Sequence, residues 1–538
     1  MPGAGKSTFM SLVAGQIQTE STSSCCLGIM FFNRENDKDV ELKSLLGTLI
    51  RQIGRQGDCI SRAVVEDHRM QQTNKTLPAA KDFQRLLLEE VRRYEDAFFI
   101  IDALDECPSE ARSMLLNNLF QLQKVDTVNV RILVSSRELQ VIAEELSGVA
   151  HYRLLANDED LKMYINKQVN LKPGLKIAQR YPPLRQQLLI TLIDKAKGMF
   201  LLVKLQLQLL NAMKPNTPKM FRELLKDLAQ GSRALEATYT KMWHIINEHG
   251  AEEVHIAQDV FALVSYSARL LTGTELQYAV AAQAPFSASI DPEDLYDEAV
   301  LTEPCLGLIT INDTHLVDFV HATAREFFYD HLSGLFAKTQ EALCKACWSY
   351  LVQEGLGRCT EVDEIQSHFQ NYPFLSYAAQ FWSLHARQAG DHFQYHDLAE
   401  LLSSHVNTVE RVIRLTLCFR HNCLRQILEE DNTPSWSFSE TLWTRFPTKI
   451  APQHLAAFAS LHALAASLLD RGADPNATDS NGWTALRWAA LTDSVQVMEL
   501  LVDHGASVDS KDAKNSQLFF GRSESVIQVL VYCQNLLN

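Results

Sequence analysis

A multidomain α/β plus α chain is what this sequence predicts, on three observations. The first residues, Met1-Pro2-Gly3-Ala4-Gly5-Lys6-Ser7-Thr8, read as most of a phosphate-binding loop. The first 150 residues alternate short apolar runs with helical patterns, the signature of a parallel sheet with crossover helices. The last 90 residues repeat themselves at a displacement of 33, as a solenoid does.

In the complete G-x-x-x-x-G-K-[ST] loop, backbone N–H groups curl around phosphates at a helix N-terminus. The lysine reaches the β- and γ-phosphates and the hydroxyl ligates Mg²⁺. Gly3, Gly5, Lys6, Ser7 and Thr8 are the candidate nucleotide-binding residues here. The sequence opens one residue after the place of the motif's first glycine. That glycine and the strand running into it, the expected central strand, are therefore the missing parts. A sheet lacking that strand would leave ladder groups unpaired, at about 1–3 kcal/mol for each buried group. On this reading the chain as given binds ATP weakly or not at all, and some 20–40 further upstream residues restore binding.

Cys26–Phe32 reads as a strand. Leu42, Leu45, Leu46, Leu49, Ile50 and Ile53 recur with the 3.6-residue period of an amphipathic helix. Phe98–Ile101 ends in Asp102, and Val130–Val134 ends in Ser135-Ser136-Arg137. Both runs read as strands buried on two faces that deliver polar groups at their C-terminal ends. From about 151 to 445 the pattern is almost wholly helical, punctuated by Pro182-Pro183, Pro215, Pro218 and Pro292. Thr272-Gly-Thr-Glu275 is a capping box that starts a helix. The stretch Leu306–Phe319, with Asn312-Asp313 as its turn, reads as a hairpin, and the whole as helix-turn-helix with a small β-wing. Tyr377, Phe381 and Leu384, beside Trp382, read as a packed aromatic face.

Gly472-Ala473-Asp474 returns as Gly505-Ala506-Ser507, and Asp479 as Asp512. Pro452-Gln-His-Leu-Ala-Ala457 returns as Ala485-Leu-Arg-Trp-Ala-Ala490. A 33-residue unit of two short helices and a glycine-ended turn is the ankyrin signature. A third unit decays after Asn515. Since about three repeats are needed to bury a continuous core, these must lean on the helical region or on a continuation. The domains are thus 1–150 for the nucleotide-binding core, 151–250 for a helical lid, 251–335 for a winged-helix-like domain, 336–447 for a helical linker and 448–538 for ankyrin repeats.

Length and composition agree with this division. A chain of 538 residues exceeds one core and fits three or four domains. Net charge is −15 with no long basic run, so a phosphate-tracking surface for nucleic acid is not expected. The odd count of 11 Cys fits reduced thiols better than a disulfide framework. No apolar stretch approaches the ~20 residues of a membrane span. A soluble cytoplasmic protein is expected. Cys418-x-x-His421-x-Cys423 has metal-like residues, but its helical spacing splays the thiols and supplies no fourth ligand. Cys344 and Cys347 read as helix core.

Asp102 lies 96 residues after Lys6 at a strand end, where a phosphate-loop fold places the carboxylate that holds Mg²⁺ or its water ligand. Asp105 and Glu106 follow, within reach of an attacking water. The bland alternative is a helix start, where acidic residues favour the positive end of the dipole. Arg137 ends another strand and could face the γ-phosphate or be an ordinary surface charge.

Together these elements resemble the NACHT group of signal-transducing P-loop ATPases, of the STAND class with a nephrocystin-like N-terminal type, in the form common among filamentous fungi. The resemblance rests on the order of Pro2-Gly-Ala-Gly-Lys-Ser7, Phe99-Ile-Ile-Asp102-Ala-Leu-Asp-Glu-Cys107, Ile132-Leu-Val-Ser-Ser-Arg137, Gly198-Met-Phe-Leu201, Tyr266-Ser-Ala-Arg269, His321-Ala-Thr-Ala-Arg-Glu326 and Tyr372-Pro-Phe-Leu-Ser-Tyr-Ala-Ala379. It implies that Ser7 and Asp102 hold Mg²⁺, that Asp105 and Glu106 serve hydrolysis, and that Arg137 senses the γ-phosphate. It also implies that His321 touches an ADP phosphate in a closed state; a core histidine is the alternative. The ankyrin units depart from consensus at Gln453, where Leu is usual, and Arg487, where His is usual, which implies weaker pairing across those turns.

The function expected is an ATP/ADP- and Mg²⁺-dependent molecular switch with slow ATPase turnover. A protein partner would engage the ankyrin repeats, and a homo-oligomer would form on activation. Two alternatives stand beside it: a non-catalytic ankyrin and helical scaffold with a defective loop, and a winged-helix DNA-binding regulator, which would need a basic recognition helix that the sequence lacks.

Overall fold

The computed structural model describes residues 3, 5–20, 24–32, 41–57, 61, 62, 64–66, 69, 79–137, 139–231, 233–281, 293, 295–356, 362–390, 393–404, 406–420 and 447–508. They divide into two units, Met1–Met242 and Trp243–Asn538.

In the first unit, helix α1 (Lys6–Glu20) precedes strand β1 (Cys25–Phe31), helix α2 (Leu42–Gly54), a helix over Ala80–Val91, strand β2 (Asp96–Asp102), a helix over Ser109–Leu122 and strand β3 (Asn129–Val134). The three strands are parallel in the order β1-β2-β3, with Ile29 opposite Ile100, Phe31 opposite Asp102 and Phe99 opposite Ile132. The periodic leucines and isoleucines of α2 are buried together with Leu86, Leu87, Phe99, Ile101, Leu115 and Leu119. Each such side chain contributes about 1.5–3 kcal/mol. On the other face α1 lays Met10 and Ala14 against Leu27 and Ile100.

The outer edge of β1 is closed by α2. Gln56 accepts from the Leu27 N–H at 2.8 Å and donates to the Leu27 carbonyl at 2.6 Å. Gln52 does the same for Ile29, at 2.7 and 2.9 Å. Two side-chain amides thereby stand in for the ladder of a further strand, satisfying groups that an edge otherwise exposes.

One sequence expectation is corrected here. β2 is buried as expected, but β3 is not buried on two faces: Asn129 and Arg131 are exposed and Ile132, Leu133 and Val134 half-buried. The cause is its position at the end of the sheet order. Its Arg131 pairs with Asp96 at 2.9 Å and lies over the Phe98 ring. β2 finds β1 on one side and β3 on the other, and among the described residues the ladder of β3 is with β2.

Helices over Asp158–Leu171, Pro182–Ala196, Phe200–Met213 and Pro218–Lys226 complete the first unit. Asn157 caps the first of them by accepting from the Glu159 N–H at 3.1 Å. Among the described residues no helix is long and apolar enough to cross a membrane.

The second unit contains the helix Ala251–Tyr266, the helix Gly273–Ala281, an antiparallel hairpin of β4 (Ile309–Ile311) and β5 (Val317–Phe319), and the helix Ala322–His331. The capping box forms reciprocally: the Thr272 hydroxyl accepts from the Glu275 N–H at 3.1 Å, and Glu275 accepts from the Thr272 N–H at 2.9 Å. Arg269 locks the same carboxylate with two contacts of 2.7 Å. Asn312 turns the hairpin by accepting from the Thr314 and Leu316 N–H groups.

Helices Phe336–Leu351 and Leu375–Ala389 then pack together around Trp348 and Trp382, whose ring centroids are 4.9 Å apart. Cys344 and Cys347 are buried in this core. A neutral polar chain runs through it. The Ala268 N–H donates to the Tyr377 hydroxyl at 2.9 Å, which meets His385 Nε2 at 2.8 Å. His385 Nδ1 meets Gln340 Oε1 at 2.5 Å, and the Gln340 amide donates to the Tyr266 carbonyl at 3.0 Å. His385 is wholly buried, and burial pushes its pKa down to about 3.

The helix pairs Pro452–Phe458 with His462–Asp470, and Ala485–Leu491 with Val495–Asp503, form two stacked repeats. Asp479 builds the turn between them, accepting from the Asn481 and Trp483 N–H groups and from the Trp488 indole at 3.1 Å. His454 accepts from the Ala451 N–H and reaches the Trp483 carbonyl. The substituted positions are not idle. Gln453 donates to the Asp474 carbonyl at 3.0 Å, and Arg487 lies 4.6 Å from the Trp483 ring centroid. The described repeats lean on the helical region: the helix Tyr395–Ser404 packs on His462–Asp470, Arg471 donates to the His396 carbonyl at 3.2 Å, and Arg387 donates to the Ala459 carbonyl. The expected third unit beyond Asn515, Asp512, His421 and Cys423 lie outside the described residues, and Cys418 falls in the helix Val406–Arg420.

His385 sets a pH dependence. Between about pH 6.5 and 3 the unfolded chain binds a proton that the folded chain refuses, so stability falls on acidification through that window. From pH 7 to pH 5 the second unit is expected to lose about 2 kcal/mol. Urea titrations at the two pH values check this; His385→Gln should flatten the dependence, and an equal loss in that variant would assign it elsewhere.

Candidate functional site

The site forms where α1 starts and β2 and β3 end. Gly3 and Gly5 have φ of 65° and 88°, left-handed values that a side chain disfavours. At Gly3 the space is also taken, since a Cβ there would come within 2.3 Å of Leu201 Cβ. The Leu201 N–H donates to the Gly3 carbonyl at 3.1 Å, so the loop is tied to the first turn of the helix Phe200–Met213. Helix α1 opens at Lys6, with Phe9 N–H bonded to the Gly5 carbonyl at 2.9 Å. Ser7 and Thr8 are exposed on its first turn.

Asp102 ends β2 at 3 % exposure. Ala103 takes a left-handed φ of 53°, which turns the chain into the 3₁₀ segment Leu104–Glu106 and returns Asp105 and Glu106 beside the strand end. The neighbouring strand supplies the partner: Ser135 Oγ donates to Asp102 Oδ1 in a short hydrogen bond and accepts from the Ala103 N–H at 3.1 Å. Arg137, two residues on, donates its backbone N–H to Asp105 at 2.9 Å and its Nε to the same carboxylate at 3.0 Å; its terminal nitrogen is 3.7 Å from Glu106.

Lys6 completes the group. Half-burial lowers its pKa from the usual 10.5; Asp105 opposes that most strongly, Arg137 adds to it, and Asp102 and Glu106 oppose it. The ammonium therefore lies within the electrostatic reach of all four. Of the candidate residues, Lys6, Asp102, Asp105, Glu106 and Arg137 converge, and Gly3, Gly5, Ser7 and Thr8 lie in the loop and first turn beside them. His321 belongs to the second unit, where its Nδ1 accepts from the Thr323 N–H at 3.1 Å and caps the helix Ala322–His331.

The donor set fits a magnesium nucleotide. A serine hydroxyl and a carboxylate are hard oxygen ligands, and a lysine at a glycine-bounded helix start fits phosphate. Ser135 was missed as a site residue; a hydroxyl directly after an apolar strand whose neighbour ends in Asp was the available signal.

Residues 1–137 match the family model of the nephrocystin 3 N-terminal region. Residues 415–516 match a model of ankyrin repeats in three copies. The chain joins a nephrocystin-3-type N-terminal region to ankyrin repeats. The nephrocystin-3-type region ends on Arg137, so every convergent residue of the site lies within it. The ankyrin match opens at 415, one repeat length of 33 residues ahead of 448 (448 less 415). No curated protein matches the chain. Among solved structures, the signal transduction ATPase with numerous domains (STAND) protein with a tetratricopeptide repeat sensor, from Pyrococcus horikoshii, aligns at 11% identity over 99% of this chain and 76% of its own, with a TM-score of 0.34. At that score the likeness carries no argument.

Removing the Ser135 hydroxyl leaves the Asp102 carboxylate short of a buried partner. Ser135→Ala is expected to cost about 1–3 kcal/mol, and Ser135→Thr much less. Urea unfolding followed by a probe in the first unit measures it; equal stability of Ser135→Ala and wild type would show that the bond adds nothing.

Proposed function

We propose that this protein is an ATP/ADP-dependent signalling switch of the cytoplasm, in which a stimulus on the ankyrin repeats changes the nucleotide state of the N-terminal region. The observation that carries it is the gathering of Asp102, Asp105, Glu106 and Arg137 at the neighbouring ends of β2 and β3, with Ser135 on Asp102 and Arg137 on Asp105. The nephrocystin-3-type match over the same residues and the ankyrin match support it.

In this reading Lys6 and the N–H groups after Gly3 and Gly5 bind phosphate oxygens, with the α1 dipole aligned to favour them. Ser7 and Asp102 hold the metal, and Ser135 keeps the Asp102 carboxylate turned. A bound Mg²⁺ would supply charge neutralisation between the β- and γ-phosphates. Glu106, beside Asp105, orients the attacking water, and Arg137 meets the γ-phosphate. His321 senses the diphosphate in the closed state. Turnover is slow, since a switch works by differential affinity for its states rather than by rate. Residues 251–335 act as a winged-helix-like lever, and opening permits self-association.

Nucleotide binding is the direct test. Lys6→Ala is expected to abolish Mg²⁺-ATP binding and Asp102→Ala to weaken its Mg²⁺-dependent part, whereas Glu106→Gln should retain ATP and slow hydrolysis. Calorimetry with a phosphate-release assay separates these. Unchanged turnover in both carboxylate variants would remove the assignment, and no binding by wild type, with or without about 20–40 further upstream residues, would favour a scaffold.

The repeats are expected to bind protein through their turns and inner helices. Deleting 448–538 should abolish capture of at least one partner in a pull-down. Retention of every partner, or tight salt-sensitive DNA binding by this region, would count against it.

A further inference from the structure

Asp105 and Glu106 are adjacent acids, yet they are held differently. Both carboxylate oxygens of Asp105 are engaged by one residue: Oδ1 accepts from the Arg137 backbone N–H at 2.9 Å, and Oδ2 faces Arg137 Nε at 3.0 Å. The Asp105 side chain is 6 % exposed, whereas that of Glu106 is 17 % exposed and 3.7 Å from the same guanidinium. A carboxylate gripped at both oxygens by a cation is poorly disposed to take a proton from water. It is well disposed to fix that cation, because backbone and side chain of Arg137 are pinned by a single group.

We propose that Asp105 is a positioning residue for Arg137, and that the pair sets the preference of the site for a nucleoside triphosphate over a diphosphate, leaving the orientation of water to Glu106. This rests on the switch reading above. A guanidinium held through Nε presents a planar fork of the kind that matches phosphate oxygens, and one fixed before binding loses less rotamer freedom on meeting them. Asp105 also lies among two cations, Lys6 and Arg137, that repel each other. Its negative charge keeps both at the site. Only the terminal phosphate gains from Arg137, so loss of the pin should be felt by the triphosphate and hardly by the diphosphate.

The experiment measures dissociation constants of the full chain for Mg²⁺-ADP and for a non-hydrolysable β,γ-imido ATP. Asp105→Asn is expected to weaken the triphosphate analogue about 10-fold or more, the worth of a charge-assisted hydrogen bond, with little change for ADP. Arg137→Ala should do the same, and Asp105→Asn should add nothing in the Arg137→Ala background. If Asp105→Asn does not fold, Arg137→Lys, which keeps charge but not the planar group, should show the same selective loss. Retained triphosphate preference with slowed turnover would make Asp105 an acid of hydrolysis and overturn the proposal. An equal loss for both nucleotides would reduce it to a structural residue. Binding of neither nucleotide by wild type would take down the switch reading and this proposal with it.

Discussion

Asp102 ends a strand whose two neighbours run parallel to it, and parallel strands carry their C-terminal ends to the same edge of a sheet. The placement of charge in the first unit depends on that register. Phe31 lies opposite Asp102 and Val134 opposite Ile101, so the chain leaving β3 passes beside the chain leaving β2. Ser135 thereby reaches Asp102, and Arg137 reaches Asp105. The sheet keeps its register because its faces are filled by α1 and α2 and because the β1 edge is closed by glutamine amides. A slip of one residue would turn Phe99 and Ile101 out of the α2 core and take the acidic end away from its partners.

The two units solve the cost of buried polarity in opposite ways. At the end of β2, charge is retained, offset by opposite charge and by a hydroxyl. Around His385 the linking groups are neutral: a neutral imidazole joins three helices through alternating donors and acceptors. A neutral network gives one arrangement of the helices its full set of hydrogen bonds and leaves alternatives short, which suits a scaffold. A charged cluster keeps its members only while opposite charges stay beside one another.

Much of this was legible in the residues. The α2 leucines, the capping box at Thr272 and Glu275, the Asn312 turn and the 33-residue displacement each encode local geometry through a period or a side chain with one favoured use. The arrival of Asp102 and Arg137 at one edge of the sheet was legible too, because both apolar runs stop at polar residues. Three things were not. The exposure of β3 depends on which strands flank it, and apolar runs do not state their neighbours. The Gln52 and Gln56 amides carry no sign of their use, since nothing local says that an open strand edge lies opposite. Asp105 and Arg137 were each legible, but their pairing is set by the left-handed turn at Ala103, a non-glycine residue whose sequence gives no warning of it.

The docking of Tyr395–Ser404 on the first described repeat has a directional consequence. A stack of repeats behaves as a row of units each held by its nearest neighbours, and such a row melts first from an end whose outer side is bare. Here Arg387, Arg471 and the packed helix supply one end with a neighbour that is not itself a repeat. Among the described residues the pair Pro452–Phe458 and His462–Asp470 is therefore braced from outside the repeats, and its local opening must break these contacts as well as those to the next pair. A ligand gripping the pair Ala485–Leu491 and Val495–Asp503 would have its grip passed back, through the pair before it, to the helical region.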